Sequence, residues 1–149
     1  MGRLLIMSFT LCLLAACTSI STSTPLIQTQ TSSSTIQWQA SELVTRCKTN
    51  TITDFRFILR NNGEWQSTAK LENTDLRKYR PYWKNHIVLK FLSVEKPAVT
   101  LDLFTEKMPA ASVRTVEKNG VWQIDVKRFN DLHSATVTVE HNCEGLLEE

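Results

Sequence analysis

The chain has 149 residues, 42% of them hydrophobic, and its 17 basic side chains against 15 acidic ones leave a net charge of +2. This near-balance lacks the concentrated basic face that a nucleic-acid partner requires, so none is expected. Four glycines leave little material for backbone loops that cradle phosphates.

Met1-Gly2-Arg3 carries one positive charge, and Leu4 to Leu14 is apolar apart from Ser8, Thr10 and Cys12. The run is too short to span a bilayer, which takes about 20 residues. It fits the apolar core of a signal peptide, with small residues at its cut site. Residues 1–16 are therefore read as a removed leader. The leader ends in Leu14-Ala15-Ala16-Cys17, which resembles the lipobox of bacterial lipoproteins position by position. The resemblance covers residues 1–17 only. It implies cleavage before Cys17, a diacylglycerol on its thiol and acylation of the new amino terminus, giving a stable anchor. Thr18 rather than Asp follows the cysteine, so the resemblance implies the outer membrane, with the domain facing the periplasm. A plain secretory leader without lipid is the alternative.

Residues 17–35 read as a lipidated tether. Of the 18 residues from Thr18 to Thr35, 12 are Ser or Thr. Such a segment offers little apolar surface against the entropy of ordering it. As a random coil it would span roughly 25 Å.

Residues 36–149 form one further composition block, enough for a single domain. Period-two alternation recurs through it. Phe55, Phe57 and Leu59 fall on one face, with Arg56 and Arg60 on the other. Asn61-Asn62-Gly63 supplies turn chemistry, and Trp65 to Leu71 returns as a second strand. His86 to Val94 and Ala98 to Phe104 pair around Glu95-Lys96-Pro97. Ser112 to Lys118 and Val121 to Lys127 flank Asn119-Gly120, which predicts a hairpin with Trp122, Ile124 and Val126 facing the core. Ala135, Val137 and Val139 mark a last strand. About seven strands with short links predict a mainly β domain, a small antiparallel β-sandwich or barrel. One or two short helices are expected beside it: Trp38 to Arg46 with Ser41 as N-cap, and a turn over Asn73 to Tyr79 that ends before Pro81.

Once Cys17 carries lipid, Cys47 and Cys143 remain in the mature chain, and an even pair in an exported protein reads as a disulfide. It would join the start of the domain to its end and contribute about 4–5 kcal/mol in the chain-entropy account. The competing reading is a metal site from Cys47, His133, His141 and Cys143, whose spacing matches no common zinc pattern. No metal or other cofactor is expected.

Catalysis is not expected either. The three histidines are His86, His133 and His141, and no Gly-x-Ser-x-Gly, His-Glu-x-x-His or phosphate loop is present. Asp102 and Asp125 could pair as carboxylates, but both fall on outward faces. The stretch from Leu76 to His86 interleaves basic and aromatic residues. Arg77, Tyr79, Arg80, Tyr82, Trp83 and Lys84 are its candidate partner-binding residues, read as a loop that touches a protein, anionic headgroups or glycan.

These features suggest a non-enzymatic binding module on the outer membrane, with an envelope protein as partner. One form is an assembly or targeting factor for a secretion or pilus system, as pilotins are. The alternative is an inhibitor or immunity protein against a wall-degrading enzyme. The placement of Cys47 and Asn142-Cys143 resembles the membrane-bound inhibitors of C-type lysozyme, though their inhibitory motif has no counterpart here.

Overall fold

The computed structural model describes residues 22–44, 50–74, 76, 82–93 and 96–146. They form two antiparallel sheets packed face to face, a β-sandwich. Nine strands are described: β1 Thr22–Pro25, β2 Ile27–Thr31, β3 Thr35–Leu43, β4 Asn50–Arg60, β5 Glu64–Asn73, β6 Tyr82–Ser93, β7 Lys96–Pro109, β8 Ser112–Val121 and β9 Thr136–Leu146. A short helix α1, Val126–Asp131, and a 3-10 turn, Leu132–Ser134, come between β8 and β9. The four-stranded sheet has the order β1-β9-β6-β7 and the five-stranded sheet β2-β3-β4-β5-β8.

The core follows from alternation. Ile36, Trp38 and Ala40 of β3, Phe55, Phe57 and Leu59 of β4, and Ala69 and Leu71 of β5 line the inner face of the five-stranded sheet. Ile87, Leu89 and Phe91 of β6 and Val137 and Val139 of β9 face them. β4 changes phase once. Ile52 and Phe55 are both buried although three residues apart, because the register shifts between Thr53 and Arg56, with Asp54 at φ 52°. A bulge inserts one residue and so returns the following aromatic residues to the core side.

Two predicted hairpins form. Asn61, Asn62 and Gly63 connect β4 to β5, with Gly63 at φ 85° and its N–H donating to Arg60 O at 2.9 Å. A β-carbon on Gly63 would also lie 2.0 Å from Trp122 O, so glycine is required twice over. β6 and β7 pair from Tyr82↔Pro109 to Ser93↔Lys96.

Four expectations are corrected. Trp38 to Leu43, predicted as helix, lies in β3, because Ile36, Trp38 and Ala40 alternate inward and pair with β4. Asn119-Gly120 is no turn. It lies inside β8, opposite Gln66 and Trp65. Glycine is needed there for space: a β-carbon on Gly120 would lie 2.6 Å from the Trp65 ring. The predicted second arm, Val121 to Lys127, leaves the sheet after Val121 and enters α1. Asp125 Oδ1 caps that helix by accepting from Arg128 N at 2.7 Å, and Phe129 and Leu132 bury the apolar side.

The fourth correction concerns the tether. The folded domain already includes Thr22 to Thr31, ahead of Ile36. β1 pairs with β9 and β2 with β3. Edge strands need only one paired side and little apolar area, and threonine suits extended backbone. Leu26, between β1 and β2, is 8% exposed, and its N–H donates to Val137 O at 2.8 Å. Thr24 Oγ1 accepts from Val44 N at 2.6 Å. The segment thus crosses from one sheet to the other and closes the sandwich along one side. The predicted turn over Asn73 to Tyr79 falls largely outside the described residues. Its first residue, Asn73, ends β5 and is buried, with Nδ2 donating to Pro109 O at 3.0 Å.

Leu26→Ala is expected to lower stability by about 2–4 kcal/mol, as for other buried leucines. Urea unfolding of the full chain measures it, and a loose tether would show no change. Ser67 is 1% exposed, and its Oγ has no hydrogen-bond partner among the described residues. Ser67→Ala is therefore expected to raise stability by about 1 kcal/mol in the same assay.

Candidate functional site

The strands give the sandwich two distinct ends. At one end lie the close of β3 at Leu43, the close of β5 at Asn73, and the starts of β6 and β8 at Tyr82 and Ser112, while Thr22 pairs with His141 midway along β9. Thr24 to Val44 and Asn73 to Pro109 join the two sheets there. At the other end lie the β4–β5 turn, Val121, α1 and the start of β9. Thr31 Oγ1 and His133 Nδ1, 2.5 Å apart, tie β2 to the 3-10 turn at that end.

The predicted site residues divide between these places. Cys17 and Cys47 lie outside the described residues, as do Arg77, Tyr79 and Arg80. Cys143 lies on β9 opposite Asn85. Tyr82, Trp83 and Lys84 are not in a loop, which corrects that expectation. They open β6, an inner strand paired with Leu146, Gly145 and Glu144 on one side and Pro109, Met108 and Lys107 on the other. Strands on both sides pair with their backbone.

The two histidines among the metal-ligand candidates are not brought together. His133 lies at the α1 end, edge-on to Phe129 with ring centroids 5.2 Å apart. His141 lies midway along β9, in register with Thr22 and Ile87. The β9 run between Thr136 and His141 amounts to about 17 Å. No three His, Cys, Asp or Glu side chains converge among the described residues. Asp125 is occupied as the cap of α1.

Sequence reading missed two surfaces. The first is a shallow notch of about 390 Å³ on the five-stranded sheet, lined by Arg60, Glu64, Trp65, Gln66, Asn119, Gly120 and Val121. Three successive cross-strand pairs build it: Glu64↔Val121, Trp65↔Gly120 and Gln66↔Asn119. Arg60 Nη1 and Glu64 Oε2, 3.4 Å apart, flank its turn side, both about half exposed, so the pair adds little stability. The amides and the guanidinium can hydrogen-bond a polar ligand or a peptide backbone. Nothing lining the notch pairs a nucleophile with a base.

The second surface is the outer edge of β8, which no described strand joins. Edge strands present unpaired backbone groups and are usually blunted by shortness, proline or bulges. Three of the four edges are blunted so. β1 has 4 residues and ends in Pro25, β2 has 5 with a register shift between Gln28 and Gln30, and β7 includes Pro97 and Pro109. β8 has 10 residues, no proline, and pairs with β5 without a register shift. Its core-phase positions include Arg114 and Lys118, in register with Leu71 and Ser67. In the sequence Ser112 to Lys118 reads as a strand, and reading Asn119-Gly120 as a turn conceals its last residues.

Comparison with protein-family models, curated proteins and solved structures gives no match.

His141 is 1% exposed, and burial lowers its pKa from 6.5 to about 4, because desolvation disfavours the imidazolium. On acidification the unfolded chain takes the proton first. The stabilising contribution is therefore full above pH 6.5 and is lost as pH falls from 6.5 to about 4, amounting to about 3 kcal/mol. A His141→Gln chain is expected to lose less stability over this window than the parent, measured by urea unfolding at stepped pH.

Proposed function

We propose that this chain is an outer-membrane lipoprotein acting as a non-enzymatic binding module, an assembly or targeting factor of the pilotin kind for an envelope secretion or pilus system. The observation that carries the binding role is the outer edge of β8, joined by no described strand, long, regular and without proline while the other three edges are blunted. An extended segment of a client protein adds to such an edge through main-chain hydrogen bonds, and alternate side chains set its selectivity. The notch at Gln66 and Asn119 adjoins the end of that edge and offers polar groups to a client residue. The Leu14-Ala15-Ala16-Cys17 tetrapeptide supports the address, with lipid on Cys17 as the membrane link.

Two measurements test the reading. Cys17→Ser is expected to block processing and remove the chain from the outer-membrane fraction. An unchanged fractionation profile would refute the address. For the binding role, proline is placed at Glu117 and, separately, at Lys118, and the client is captured from crosslinked envelopes. Successive residues of an antiparallel strand alternate the direction of their N–H groups. One substitution breaks a bond to β5, and the other disturbs only the open edge. The edge variant should stay folded and lose the client; a folded edge variant with full capture would exclude β8. Recovery of a wall hydrolase in place of a secretion component would favour the inhibitor reading instead.

A further inference from the structure

We propose that the segment joining β8 carries a basic residue opposite Glu117, with β-branched apolar residues four places before and after it. This rests on the edge reading of β8 and adds the client's side-chain pattern to it. The direction of the β8 backbone groups follows from one bond. Trp122 N donates to Gly63 O at 2.8 Å, one step beyond the Glu64↔Val121 pair. Bonding alternates along an antiparallel pair, and this pair has no register shift. Ser112, Arg114, Val116, Lys118 and Gly120 therefore bond to β5. Val113, Thr115, Glu117, Asn119 and Val121 turn their N–H and C=O groups to the outer edge, so Glu117→Pro is the edge variant.

Those five residues are also exposed, on the face where Asn119 and Val121 line the notch. Val113 and Val121, 60% and 64% exposed, flank Glu117 at equal distances. A strand laid along the edge sets one side chain directly opposite each of the three. β-Branched residues opposite the valines cover apolar surface, and a cation opposite Glu117 pairs with its carboxylate. The β5 residues opposite Val113, Thr115 and Val121 are Glu72, Lys70 and Glu64. Along β5 and β8, carboxylates thus outnumber cations on this face, while Arg114 and Lys118 belong to the other one.

A second copy of the chain is a poorer occupant. Two β8 strands joined about a two-fold axis overlap most in two registers. One sets Val113 opposite Val121 but Glu117 opposite itself; the other sets Arg114 opposite Lys118. Like charges directly opposite are destabilising, so the edge suits a different strand with a cation at its centre.

Two labelled peptides test the pattern by fluorescence anisotropy with the full chain in non-ionic detergent. Both are Ser/Thr strands with valines placed to meet Val113 and Val121; one has lysine midway, the other glutamate. The lysine peptide is expected to bind about three- to tenfold more tightly, and Glu117→Lys, checked as folded by urea unfolding, should reverse the preference. Equal affinities that a folded Glu117→Pro chain loses together would overturn the basic-residue pattern and leave β8 as the docking edge. Binding of neither peptide, or binding that Glu117→Pro does not touch, would refute the edge reading and the proposal with it.

Discussion

The rest of the structure depends on an aromatic contact between the two sheets. Trp38 and Phe57, from neighbouring strands of the five-stranded sheet, both meet Phe91 of the four-stranded sheet, with ring centroids 5.5 and 6.0 Å apart. All three side chains are fully buried. Such ring pairs add about 0.5–1.5 kcal/mol each beyond their area. Their shape also resists sliding of one sheet over the other. Phe57 further meets Trp65, and Phe91 meets Trp122 at 5.4 Å. The cluster thus runs from the centre to the α1 end, where the Arg128 guanidinium lies 5.5 Å from the Trp122 ring. Trp38 Nε1 is buried with no hydrogen-bond partner among the described residues, so apolar packing outweighs one unsatisfied donor there.

Fixed alignment gives meaning to the links that cross between sheets. The N-terminal segment pairs with β9 through β1, passes Leu26 into the core, and pairs with β3 through β2. The β7–β8 link makes a second crossing, through Ala111 at φ 50°. A non-glycine residue with that backbone costs roughly 1–2 kcal/mol, and the neighbouring bonds offset it. Pro109 O accepts from both Ser112 Oγ at 2.6 Å and Asn73 Nδ2 at 3.0 Å. These crossings bring particular strand ends together, and so determine which residues share a surface.

The sequence states the two-layer β architecture openly, because inward alternation is a local property: Phe55, Phe57 and Leu59 read correctly without any partner. What it conceals is pairing. Ser/Thr-rich residues 22–31 look unable to fold because composition weighs apolar content alone, whereas an edge strand is stabilised largely by its neighbour's backbone. Asn119-Gly120 has the chemistry of a turn, yet Gly120 serves the Trp65 ring across the sheet, a requirement set 55 residues earlier in the chain. Trp38 to Leu43 reads as helix because Ser41 can cap and Leu43 and Val44 are apolar. The phase change near Asp54 of the neighbouring strand is what keeps Leu43 inward while Ser41 and Glu42 face water. The notch and the outer edge of β8 were hidden for the same reason, since both exist only once β5 and β8 are paired.

The two surfaces share one strand. β8 runs from Ser112, opposite Asn73, to Val121, opposite Glu64, and the notch at Gln66 and Asn119 lies near its Val121 end. A segment pairing along β8 would therefore reach the notch with one of its termini, so main-chain pairing and the polar groups of Gln66 and Asn119 would act on the same ligand. Both contacts are held on one rigid sheet, which lowers the entropy lost on docking.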